Sequence, residues 1–234
     1  MRRFVLVHGA WHGAWCWARV AARLRAAGHE VVIPTLTGVG ERAGELAPHV
    51  GLAAHVEDAL AVLDEARPAV LVGHSYGGLV VREAADRRPR AVAHLVLVDG
   101  WAGPDGASMF DLAPAGLRTG LRRVAHERGD GWRMPAPDPA TVGVTDPADA
   151  AWLRARLTAH PLRSFEDPTR LEGAVDAIPA TAVLCRPSSL PFEAWAAAAG
   201  AAAVDLESGH DAMVTVPGRL TELLCEAAAG AGGP

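Results

Sequence analysis

The chain has 234 residues, with 27 acidic against 22 basic side chains, ten histidines and three cysteines. That length fits one domain, or one domain carrying a sizeable insertion, with enough chain to bury a core. All 22 basic residues are Arg, and Lys, Asn and Gln are absent. Those absences exclude a Schiff base, a P-loop lysine, an N-glycosylation acceptor and a side-chain amide that stabilises an oxyanion.

The net charge of −5, with Arg scattered along the chain, argues against a nucleic-acid partner. Cys16, Cys185 and Cys225 are odd in number and far apart, so neither a disulfide framework nor a zinc knuckle is expected. No apolar run approaches the roughly 18 residues of a membrane span. The apolar stretch at residues 4–7 is too short for a signal peptide and meets His8-Gly9 at once. The expected setting is soluble and cytoplasmic, with no membrane partner.

In chain order, a buried strand is expected at 4–7, a helix at 17–27, a strand at 31–34 and a Gly/Glu-rich surface loop at 36–50. A helix at 52–65, a strand at 69–72, a helix at 78–87 and a strand at 95–98 follow. After 101–176 come a strand at 181–184, a helix at 191–199, a strand at 202–206, a helix at 217–228 and a frayed Ala/Gly tail over 227–234. The strands are brief, Val/Leu/Ala-rich and bounded by Gly, Pro or His, and the helices carry apolar residues at helical spacing. Such alternation predicts an α/β fold, with right-handed crossovers and a parallel sheet covered by helices on both faces.

Residues 101–176 break this rhythm, with many Pro and Gly, no convincing sheet strand and a short helical piece at 148–157. The interval is too long for a simple connection. Trp132, Trp152, Leu153, Leu157 and Phe165 offer surface to bury, so the interval reads as a helical cap over the sheet's C-terminal edge. The expected organisation is a core of 1–100 and 177–234 with a cap at 101–176. Asp146-Pro147-Ala148-Asp149 reads as a helix start rather than a ligand set.

The strongest local signal is Val70-Leu71-Val72-Gly73-His74-Ser75-Tyr76-Gly77-Gly78-Leu79, a G-x-S-x-G between a strand and a helix. A strand turning directly into a helix strains the serine and presents its oxygen to a cleft above a helix N-terminus. Gly73 and Gly77 leave room for that turn. His8-Gly9-Ala10-Trp11 follows the first strand, beside this elbow, so the backbone amides of Ala10 and Tyr76 are the expected oxyanion donors. A serine hydroxyl needs a base. His210 lies just past the last strand, in the Ser-then-His order, and is the candidate. His74 is expected to point away along its strand, and His29, His55 and His94 to serve packing or the surface.

These residues resemble an α/β-hydrolase, with about six mostly parallel strands and the cap inserted before the last two. Val5-Leu6-Val7-His8-Gly9-Ala10-Trp11-His12-Gly13-Ala14-Trp15-Cys16-Trp17 is especially similar to the branch of plant methyl esterases and hydroxynitrile lyases, with its bacterial relatives. Among those, the lyases resemble one another in a threonine after the first histidine and a lysine after the catalytic one. This chain has Gly9 and Asp211 there, which resembles the esterases. The family's usual acid slot, after the strand that follows the cap, holds Val183-Leu184-Cys185-Arg186-Pro187-Ser188-Ser189-Leu190, without a carboxylate. Certain haloalkane dehalogenases resemble one another in using the end of the strand before the cap, where this chain offers Asp99. Asp205, Glu207 and Asp211 are fallback acids, too near His210 in sequence to reach its far nitrogen without contorting the loop.

The resemblance implies a serine esterase acting on a small apolar or aromatic ester, with Ser75, His210 and Asp99 catalytic. Trp11 and Trp101 fall beside catalytic segments and, with Gly9, are expected at the substrate pocket. No metal or organic cofactor is implied, and the sequence is compatible with a homodimer. Two alternatives remain open: a lyase, dehydratase or cyclase of secondary metabolism using Ser75 as hydrogen-bond donor and His210 as base, and a small-molecule receptor.

Overall fold

The computed structural model describes residues 1–188 and 190–230. The chain opens with β1 (Arg3–Val7), α1 (Ala18–Ala26), β2 (Glu30–Val32), α2 (Leu52–Leu60), β3 (Ala69–His74), α3 (Gly77–Arg87) and β4 (Val92–Val98). An intervening stretch holds α4 (Met109–Leu112), α5 (Ala115–Arg128), β5 (Arg133–Met134), α6 (Pro147–Arg154), β6 (His160–Pro161) and α7 (Arg163–Glu166). It closes with β7 (Ala180–Arg186), α8 (Phe192–Ala198), β8 (Ala202–Glu207), α9 (Ala212–Thr215) and α10 (Pro217–Gly230). Six strands form one sheet in the order β2-β1-β3-β4-β7-β8, with every neighbouring pair parallel.

Side-chain alternation along the strands divides the interior into two layers. Phe4 and Leu6 of β1 enter one layer with Trp17, Val20 and Leu24 beside α1 and with Leu220 and Leu224 of α10. Val5 and Val7 enter the other, with Val56 of α2 and Leu79 and Val80 of α3. In α1 the buried positions are Val20, Ala21 and Leu24, one helical stripe, while its arginines stay outside.

All five helices expected between the sheet strands, the short helical piece expected at 148–157 and all six sheet strands are present, with shifted ends. The helix from Leu52 stops at Leu60, because the chain must turn there to reach β3. The 36–50 segment is not simply surface: Leu36, Val39 and Val50 are buried, and Asp58 accepts hydrogen bonds from Thr37 N–H and Oγ1. Helix α10 runs through Gly230, so residues 227–230 of the expected frayed tail are helical. Residues 231–234 lie outside the described residues.

The stretch between β4 and β7 differs from expectation in one respect. It contains a two-stranded antiparallel ribbon, β5 with β6, separate from the main sheet. Its buried side chains join both layers of the interior. Phe110, Met134 and Phe165 pack into the α2/α3 layer, whereas Val144, Ala150 and Leu153 pack into the α1/α10 layer. The helix start at 146–149 has the predicted form, with Asp146 Oδ1 accepting from Ala148 and Asp149 N–H and Pro147 in the first turn.

Candidate active site

The sheet's strand order reverses between β1 and β3, and in open parallel sheets a crevice forms at that point beyond the strands' C-terminal ends. Four segments converge there: the turns after β1, β3 and β4, and the loop after β8. Among the described residues, three of the four non-glycine residues with positive φ lie in them, namely Trp11 (66°), Ser75 (50°) and Asp99 (41°). Backbone strain held at one place by surrounding contacts is a signature of a working site.

Ser75 is fixed through its backbone. Its N–H donates to Val98 O at 3.1 Å, and its carbonyl accepts from Gly78 N–H at 2.9 Å and Trp101 N–H at 3.0 Å. Gly77 is required by close approach: a Cβ there would come 2.7 Å from His8 O and 3.0 Å from Val7 O. Gly9 performs the same service from the other side, since its Cβ would lie 2.9 Å from His74 Nδ1 and 3.0 Å from Ser75 Cβ. Gly9 therefore clears space for the serine.

His210 and Asp99 meet. His210 Nδ1 donates to Asp99 Oδ2 at 2.9 Å, while Asp99 Oδ1 accepts from Cys185 N–H at 2.8 Å. Asp99 is buried, and the His210 side chain is 23% exposed. With Nδ1 committed to the carboxylate, Nε2 is the nitrogen left for proton transfer. The imidazole is stacked on Phe192 at 5.5 Å and lies 4.7 Å from the His74 ring. His74 thus lies beside His210 instead of pointing away, and its Nε2–H donates to His210 O at 3.1 Å. Burial, then the neighbouring His210, push the His74 pKa well below the usual imidazole value.

Among the described residues, the N–H groups of Ala10 and Tyr76 donate to no protein acceptor. The Tyr76 side chain is buried, with its hydroxyl 2.8 Å from His55 Nδ1. Trp11 borders a cavity of about 500 Å³ with Leu121, Val124, Arg128, Pro139 and Leu157. His210 and Asp99 line a second cavity of about 260 Å³ together with Val142, Gly143, Leu190 and Phe192. Trp101 lines neither. It is buried behind the elbow and stacked on Trp195 at 4.4 Å, because its backbone ties to Ser75 and turns its side chain into the core.

Asp211, a fallback acid, serves another histidine: His12 Nε2 lies 3.0 Å from Asp211 Oδ2, and both side chains are buried. Sequence reasoning missed this pair, and it missed His160 of β6, which binds the turn after β1. The only signal for His12 is its place four residues beyond His8 in the same turn. Among the described residues no group of three or more His, Cys, Asp or Glu is placed to hold a metal ion. No described helix is long and apolar enough to cross a membrane.

This geometry sits on a chain that belongs to the alpha/beta hydrolase family, which matches residues 4–223. The chain is 36% identical to the carbendazim hydrolyzing esterase of Nocardioides sp. (strain SG-4G), over 96% of this chain and 98% of that protein. Methylesterase 10 of Arabidopsis thaliana is 38% identical over 40% of this chain and 35% of its own length. Among solved structures, an extracellular alpha/beta-hydrolase from a Paenibacillus species superposes with a TM-score of 0.85 at 22% identity, covering 97% and 99% of the two chains. Tomato methylketone synthase I superposes at 0.83 and 22%, covering 99% of both, and these two likenesses show the fold alone.

Proposed function

We propose that the protein is a carboxylic ester hydrolase that works through an acyl-enzyme on Ser75. The observation that carries this reading is the 2.9 Å contact of His210 Nδ1 with Asp99 Oδ2, beside a serine held at φ 50° on a strand-to-helix turn. Ser75 Oγ attacks the ester carbonyl carbon as His210 Nε2 takes the hydroxyl proton. The tetrahedral oxyanion is held by the N–H groups of Ala10 and Tyr76. Collapse breaks the bond to the alkoxy oxygen, which leaves as alcohol with the proton from His210. Water, deprotonated by His210, then attacks the acyl-enzyme, and the acid departs as Ser75 regains its proton.

The substrate is a small ester with apolar or aromatic groups, in keeping with Trp11, Leu121, Val124 and Leu157 around the larger cavity and Leu190 and Phe192 beside His210. Carbendazim, named for the full-length relative, belongs in the first substrate panel. Chromogenic esters and carbendazim should be offered to the wild type, Ser75→Ala and His210→Ala. Turnover by the wild type and its loss in both variants supports the reading. Turnover that survives Ser75→Ala overturns the acyl-enzyme and favours a non-covalent role for the serine.

A further inference from the structure

The turn after β1 carries Ala10, and three buried histidines hold the peptide groups on either side of it. In the Gly9–Ala10 peptide, the carbonyl accepts from His8 Nδ1–H at 2.8 Å, leaving the Ala10 N–H as the one uncommitted pole. His8 Nε2 accepts from Leu36 N–H at 3.1 Å, so its single proton sits on Nδ1. In the Ala10–Trp11 peptide both poles are taken. The carbonyl lies 2.7 Å from His12 Nδ1, and the Trp11 N–H donates to His160 Nδ1 at 3.3 Å.

The partners also dictate the protonation of each ring. His160 Nδ1 accepts, so its proton is on Nε2 and is donated to Ser164 Oγ at 2.9 Å; Ser164 Oγ in turn donates to Pro161 O at 2.8 Å. His12 faces a carbonyl through Nδ1 and the Asp211 carboxylate through Nε2, two acceptors that require two protons. His12 is therefore an imidazolium, stacked at 5.3 Å on Trp15 and paired with a buried carboxylate. Burial opposes that charge, but Asp211 outweighs it and raises the His12 pKa.

We propose that His8, His12 and His160 are positioning residues that aim the Ala10 N–H at the oxyanion, and that the His12–Asp211 pair ties this turn to the loop carrying His210. The cap segment completes the grip. Trp11 Nε1–H donates to Met134 O at 3.1 Å, and Thr158 N–H donates to Trp11 O at 3.0 Å. On the other side, Asp211 N–H donates to Val142 O at 3.1 Å. The ribbon β5–β6 thus holds a strained tryptophan at φ 66°, one residue beyond the donor.

Two measurements test this frame. The first, ¹⁵N NMR of histidine-labelled protein at neutral pH, stands apart from any assignment of activity. It should show His12 protonated on both nitrogens, His8 on Nδ1 alone and His160 on Nε2 alone. A neutral His12 or the opposite tautomer of His160 overturns the frame. The second rests on the ester-hydrolase reading and compares His160→Leu with His160→Asn, whose side-chain oxygen can replace Nδ1 as acceptor. His160→Leu should lower kcat about 10- to 100-fold at nearly unchanged KM, and His160→Asn should recover most of it. Equal kcat in wild type and His160→Leu overturns the proposal, as does an equal loss in both variants at matched thermal stability. A wild type with no esterase activity would defeat the proposed function and leave the NMR result to judge the frame.

Discussion

Asp99 reaches His210 across an intervening strand: the carboxylate stands at the end of β4, the imidazole follows β8, and β7 lies between them in the sheet. The bridge works because Asp99 Oδ1 is anchored on the Cys185 N–H of β7, which leaves Oδ2 to meet His210 Nδ1. A carboxylate before the insertion can therefore occupy the place in space that the usual acid reaches from after it. Asp99 also has φ 41°, so the turn is strained to deliver the side chain.

Asp99→Asn should lower kcat by about 10³- to 10⁴-fold with a small change in KM, since an amide can hold His210 in the wrong tautomer. Steady-state kinetics on whichever ester the wild type turns over provides the check. A loss of less than about tenfold would mean that another group orients the imidazole.

Gly77→Ala tests the close approach at the elbow. The added methyl meets two carbonyl oxygens of β1 and its following turn, neither the end of a flexible side chain. A destabilisation of about 1–3 kcal/mol is expected, read as a shifted midpoint in urea at unchanged slope. No shift would show that the strand-to-turn contact is looser than the distances indicate.

Burial drives the His8 pKa down to about 3 and the His55 pKa down to about 4. Unfolded imidazoles take up protons below about pH 6.5, whereas these two stay neutral in the fold until their depressed values are reached. Their contribution is complete above about pH 6.5 and is lost as pH falls from there. The expected slope is roughly 1.4 kcal/mol per pH unit for each histidine. Urea unfolding at pH 7.5, 6.0 and 5.0 should show this decline, and flat stability across the range would contradict it.

The His12–Asp211 pair has its own pH window. Asp211 is pushed up by burial but held below the usual carboxylate value by His12 and its hydrogen bond, with His74 and His210 adding to the effect. The carboxylate's share is present above about pH 3.8 and disappears as pH falls through its lowered folded value. The His12 share is complete below about pH 6.5 and disappears as pH rises through its raised folded value. The stability difference between wild type and Asp211→Asn should thus be greatest between about pH 4 and 6.5. There it should reach about 3–5 kcal/mol, the usual penalty for leaving one buried charge unpaired. A difference that grows steadily with pH would rule out the charged pair.

The sheet was legible because its strands are short apolar runs between Gly, Pro or His that alternate with stretches of helical periodicity. Ser75 was legible because glycines flank it within a strand-to-helix context. Asp99 could be singled out because the stretch from Val183 to Leu190 holds no carboxylate. The histidine frame was hidden, since its bonds join Trp11 to His160 across 149 positions and His12 to Asp211 across 199. Trp101 was misplaced for a related reason. Nearness to Asp99 in sequence does not say on which side of the turn a side chain falls, and its backbone bond to Ser75 accompanies an indole turned inward.

The central claim is that Ser75 is the nucleophile, activated by His210 and facing an oxyanion site. Treatment with a fluorophosphonate followed by intact-mass and peptide analysis tests it most directly. One phosphonyl group per chain, located on Ser75, absent from Ser75→Ala and formed far more slowly in His210→Ala, is the predicted result. An unmodified wild type, or an adduct on any other residue, would contradict the account.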